Sequence, residues 1–248
     1  MTVSTTFFNL SLHRSATTST AKAFQDAHHK CFDWVGWDFE REYDLLFRHG
    51  REDELLDILL NTFPDCSYYG DFPIPLLHRQ LINRIPEASY FLILRDVDDW
   101  AISSFEHCMF VGNHPNNPID DILPPSHRMM LDIYGLLDET RDYLSEEKIN
   151  RDALLKIWRR LYHQHLITVV SLCNTCSVPL KMFYLSDPNI SSELIAYANP
   201  NCELAALPTY QLEHLHANDR GRSQTPDKPT NQIDIPTYLL QNHDHHTK

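Results

Sequence analysis

The chain has 248 residues, 42% of them apolar and 22% charged, which makes it too long for a disulfide miniprotein and too apolar for a disordered tail. Lys plus Arg number 21 against 34 Asp plus Glu, a net charge of −13. So acidic a surface argues against duplex nucleic acid as a partner, because phosphate neutralisation supplies most nonspecific affinity, and it favours a cationic small molecule.

The opening Phe7-Phe8-Asn9-Leu10-Ser11-Leu12 reads as a strand. The hydroxyl-rich turn His13 to Thr20 then starts a helix in which Ala23, Phe24 and Ala27 repeat at helical spacing. Arg51 to Phe63 reads as a helix, Cys66-Ser67-Tyr68-Tyr69 as a short strand ending at Gly70-Asp71, and Pro73 and Pro75 open a helix stopped before Pro86. Tyr90-Phe91-Leu92-Ile93-Leu94 is apolar on both faces, as a strand inside a covered parallel sheet must be. Val97 to Met109 comes next as a helix with Asp98 and Asp99 in its first turn. Asn113 to Pro125 is loop, and Ser126 to Thr140 and Glu146 to Cys173 are helical. Val178 to Leu185 is a second buried-type strand, succeeded by a helix around Ser192 to Tyr197. Strands alternating with helices predict a three-layer α/β domain with a central parallel sheet, over residues 1–225, with a polar tail at 226–248.

Ligand sites in such sheets lie at the strand C-terminal ends. After the first strand, Arg14-Ser15-Ala16-Thr17-Thr18-Ser19 offers free helix amides, hydroxyls and a cation, a natural anion cradle. It is not a Walker A loop, since G-x-x-x-x-G-K-[ST] is absent. After the strongest strand, Tyr90 to Leu94, Arg95 and Ser103 can pinch one phosphate.

These segments together resemble the sulfotransferases that use 3′-phosphoadenosine 5′-phosphosulfate (PAPS), whose strand-P-[KR]-[SCT]-G-T-[ST] loop surrounds the phosphosulfate. The loop matches Arg14 to Thr18, and the family's 3′-phosphate pair of Arg and Ser, eight residues apart, matches Arg95 and Ser103. Asp71-Phe72-Pro73 stands where relatives carry the catalytic His or an acid, and Arg220 and Arg222 stand for the late nucleotide loop. The resemblance implies a P-loop-like sulfotransferase fold, PAPS as donor, 3′-phosphoadenosine 5′-phosphate (PAP) as product, and no metal in the transfer. It implies Asp71 as general base and Arg14 as stabiliser of the departing phosphate; His107 or His114 is the reserve base. A hydroxyl or amine of a small acceptor would be sulfated, in the manner of bacterial enzymes that tailor natural products, including cyanobacterial guanidinium toxins. Trp34 and Trp37 form core or wall the acceptor pocket, where aromatic faces bind cations.

Three departures stand out: Ala16 for the usual Gly, where a Cβ disfavours positive φ; His13 for the usual Pro; and Arg14 where cytosolic eukaryotic relatives have Lys. Two rivals are a nucleotide-dependent kinase with a degenerate loop and a non-catalytic member of the fold. Cys173-x-x-Cys176 lacks a second pair at zinc spacing and reads as two buried thiols; His243, His245 and His246 read as a solvated tail. Scattered cysteines, no signal-peptide core and no apolar run near the ~20 residues of a bilayer span lead us to expect a soluble, reduced, cytoplasmic protein without membrane partners.

Overall fold

The computed structural model describes residues 5–34, 37–112, 123–145 and 148–199. In chain order the elements are β1 (Phe7–Asn9), α1 (Thr17–Asp26), β2 (Cys31–Phe32), α2 (Trp37–Arg48), α3 (Glu52–Thr62) and β3 (Tyr68–Tyr69). A 3-10 turn (Ile74–Leu77) runs into α4 (His78–Arg84), and then come β4 (Ser89–Leu94), α5 (Val97–Gly112), α6 (Pro125–Ile133) and α7 (Leu137–Tyr143). The hairpin strands β5 (Leu144–Ser145) and β6 (Lys148–Ile149) precede α8 (Arg151–Cys176), β7 (Leu180–Tyr184) and α9 (Ile190–Ala198).

Five strands form one parallel sheet in the order β2-β3-β1-β4-β7. Side chains alternate across it, as a pleated strand requires. Phe7, Phe91, Ile93 and Phe183 pack under α1 and α9, while Phe8, Tyr90 and Leu92 enter the larger core built with α3, α4 and α8. That is a three-layer α/β sandwich. β1 lies mid-sheet with the chain leaving it toward β2 on one side, and β4 takes the other side, so a crevice opens at its C-terminal end.

Several expectations are corrected. β1 is shorter than the apolar run, because Asn9 Oδ1 accepts the Ser11 amide at 3.0 Å and turns the chain out of the ladder. The helix expected over Ser126 to Thr140 is broken at Gly135, which takes φ +64°, and the Leu136 amide reaches back to Leu131 O as in a Schellman stop. The long helix starts at Arg151, where Asn150 Oδ1 accepts the Ala153 amide, and the residues before it pair as β5 and β6. β7 is not a buried strand. It is the sheet edge, with Met182 and Tyr184 exposed and only Phe183 buried. Cys173 is buried but Cys176, in the last turn of α8, is exposed. β2 and α2 were not anticipated. Residues 200–248 lie outside the described residues, and with them the expected tail. Among the described residues no helix is long and apolar enough to cross a membrane.

Candidate active site

The C-terminal ends of β1, β2, β3 and β4 each carry polar residues: Arg14 to Ser19, Asp33 and Trp34, Asp71, and Arg95. Parallel strands all end on the same edge, so the sheet itself brings these groups together.

The β1 turn is pinned from both sides. Trp100 Nε1 donates to His13 O at 2.9 Å, and Arg95 Nη1 donates to Arg14 O at 3.0 Å. The side chains of His13 and Arg14 dock on successive serines of α5: His13 Nε2 lies 3.1 Å from Ser104 Oγ, and Arg14 Nε donates to Ser103 Oγ at 3.1 Å. Arg95 is set in turn by Tyr162 of α8, whose Oη accepts the Arg95 amide at 2.8 Å and donates to its carbonyl at 3.1 Å. These contacts hold two non-glycine residues, Arg14 and Ala16, at φ 66° and 60°. Each left-handed residue with a Cβ costs roughly 1–2 kcal/mol, so Ala16 sits in a backbone region that glycine would occupy more easily.

Two guanidiniums thus sit side by side, and among the described residues neither forms an ion pair. Burial and the adjacent Arg95 lower the Arg14 pKa, while the charges of Asp71 and Glu106 oppose the shift. Ser15 Oγ is buried with no hydrogen-bond partner among the described residues, and Ala16 offers no side-chain oxygen to the first-turn amides of α1. Thr18 is exposed and Ser19 stands beside it in that same turn. Positive charge, an orphaned hydroxyl and a helix N-terminus with no side-chain cap fit a phosphorylated ligand.

The other side of the crevice is acidic. Asp71 accepts from the Phe72 amide at 2.8 Å and from Thr17 Oγ1 at 3.0 Å. Burial raises its pKa, against the pull of those two donors and of Arg14. Asp33, at the end of β2, is pushed up to about 8 by burial and by the charge of Asp71, and its Oδ1 is buried without a partner. Because Asp71 has the donors and Asp33 does not, the shared proton belongs on Asp33 and the negative charge on Asp71. Glu40 of α2 is raised to about 7, chiefly by burial, and accepts Trp34 Nε1 at 2.9 Å. Gly70 must lack a side chain here: a Cβ would fall 2.2 Å from Oη of the fully buried Tyr68. That hydroxyl accepts Asn9 Nδ2 at 3.3 Å and backs the Asp71 turn.

The structure joins Arg14 to Ser103 and Arg95, and Thr17 to Asp71, at one edge of the sheet. Trp34 is 36% exposed, so it is not core. Trp37 opens α2 but its side chain lies outside the described residues, as do Arg220, Arg222 and His114. Asp33 was missed because a two-residue strand leaves no periodic signal to mark the residues beyond its end, and Glu40 because α2, which carries it, was not anticipated. The family model described as Sulfotransferase domain matches residues 7–182. No curated protein matches the chain.

Proposed function

The chain belongs to the sulfotransferase domain family, and from that premise we propose that it sulfates a hydroxyl or amine of a small cationic acceptor, with PAPS as donor, in the tailoring of a natural product. The observation that carries the reading is the pair of guanidiniums, Arg14 and Arg95, which among the described residues form no ion pair and contact Ser103 and the turn's backbone at the strand ends. Paired acidic groups beside them make a charge-divided crevice.

PAPS, when bound, supplies an activated sulfuryl group on a phosphate. Arg95, Ser103 and the α1 turn would hold its phosphates, and Arg14 would neutralise charge growing on the departing one. Arg14 stays protonated throughout, so it stabilises without donating a proton. Asp71, held as an anion by Thr17, Phe72 N–H and Arg14, takes the acceptor's proton on a carboxylate oxygen. A cation on the acceptor would displace the proton that burial leaves on Asp33 and pair with it and with Glu40 as carboxylates, the Trp34 face alongside. Cys31, Cys66, Cys173 and Cys176 are free thiols, in keeping with a reducing cytoplasmic setting.

A calorimetric titration tests the donor site. PAP should bind without magnesium and ATP plus magnesium should not compete; the reverse order would assign a kinase instead. Arg95→Ala should weaken PAP by ~1.5–3 kcal/mol, tenfold to over a hundredfold in Kd, with the fold intact by circular dichroism. For the acceptor, Asp33→Asn should raise KM for amine or guanidinium alcohols by roughly tenfold or more, the scale of one charged hydrogen bond. Turnover of neutral acceptors alone would discard the cationic part.

A further inference from the structure

Behind the phosphate-facing turn lies a second cluster that the transfer does not use. His13 of the turn, His107 of α5 and His127 of α6 each present one ring nitrogen, and the three atoms lie within 4.8 Å of one another. Ring centroids stand 4.6 Å apart for His13 and His127, 5.5 Å for His107 and His127, and 5.6 Å for His13 and His107. We propose that these three histidines form a binding site for a divalent transition-metal ion of the zinc class.

The donor set argues for it. Three imidazoles with no carboxylate in the group suit zinc, copper, nickel or cobalt and do not suit magnesium or calcium. Nitrogens on a tetrahedral zinc at ~2.0–2.1 Å stand roughly 3.4 Å apart, so the rings need close in by at most about 1.4 Å, within reach of small χ rotations. His127 is 1% exposed, and its Nε2 is buried with no hydrogen-bond partner among the described residues. A buried polar atom left unsatisfied is destabilising, and a bound ion would satisfy it. Ser104 Oγ, which accepts Trp158 Nε1 at 3.1 Å, lies 3.1 Å from His13 Nε2 and sets the orientation of that ring, leaving Nδ1 for an ion, as outer partners orient metal-bound imidazoles. Three protein ligands leave a fourth tetrahedral position open.

The role comes from the three segments joined. His13 is covalently next to Arg14, so an ion there would tie the left-handed turn to α5 and α6 and hold it in the ligand-facing conformation. This is a clamp on the turn, separate from bond making and breaking, and it stands whether or not PAPS proves to be the donor.

The test uses the full chain stripped with a chelator, then titrated with Zn²⁺ by calorimetry and with Co²⁺ by visible absorption. His243, His245 and His246 are replaced by Ala to remove the tail's own affinity. The expected result is one ion per chain, the visible bands of four-coordinate cobalt, and a rise in Tm with zinc. His127→Ala and His107→Ala should each abolish the cobalt bands, and exposed His163→Ala should leave them unchanged. The site is overturned if the tail-free chain binds no stoichiometric ion, or if His127→Ala binds it as before. Should either variant fail to fold, the titration of the tail-free chain decides alone.

Discussion

Replacing Asp71 by Asn should lower turnover by about 10²- to 10⁴-fold while leaving the Kd for PAP within a few-fold. Asn keeps the shape and can still accept the Phe72 amide, so the turn survives. What would be lost is the anion proposed to take the acceptor's proton. Single-turnover rates and PAP calorimetry on the same preparation separate the two effects, and unaltered turnover would transfer the role of base elsewhere. The pH profile carries a second signature. Activity should fall as pH drops and Asp71, whose pKa burial has raised, becomes protonated. Stability should move the other way. Asp33 holds its proton in the fold up to about 8 but ionises in the unfolded chain near the ordinary carboxyl value. The folded state therefore binds the extra proton between those limits, and its contribution to stability is lost as pH rises through that window. Tm measured against pH should show that slope, and Asp33→Asn should flatten it.

The largest stability effect is expected at Asp44. This residue of α2 is almost fully buried and pairs with Arg128 of α6, itself 8% exposed at the side chain, and with the outer Arg48 at 2.7 Å. Removing one partner of a buried pair leaves the other charge in a poor medium, at a cost of about 3–5 kcal/mol. Asp44→Ala should lose that much in denaturant unfolding. Arg128→Met should lose clearly less, because Asp44 keeps Arg48. Equal losses would show that the pair is not what locks α2 to α6.

The layered fold was readable because its elements are long or strongly patterned. β4 is apolar on both faces, and the α1 and α5 starts carry hydroxyls and acids where helix ends want them. The anion side of the site was equally readable, since Arg14 and Arg95 come soon after the strands that position them. The acidic side was half hidden. Asp71 comes after a visible strand, but Asp33 comes after β2, whose two residues owe their pairing to Tyr68 and Tyr69 alongside and not to any local pattern. Ala16 misled in a different way. Its Cβ argues against positive φ locally, yet Trp100 and Arg95, more than 75 residues on, pin the flanking carbonyls of His13 and Arg14 and impose that geometry. The histidine cluster was invisible for the same reason, because its members come from a turn and two helices far apart in the chain.

The strand order has one more consequence. Because β2 and β3 lie on one flank of β1 and β4 on the other, the acids and the guanidiniums are sorted to opposite banks of a single trench. A guest that is anionic at one end and cationic at the other is turned to its working heading by the field alone, before any short-range contact forms. On the proposed reaction, a sulfated acceptor would carry fresh negative charge against the acidic bank, and its departure would be favoured by the same gradient.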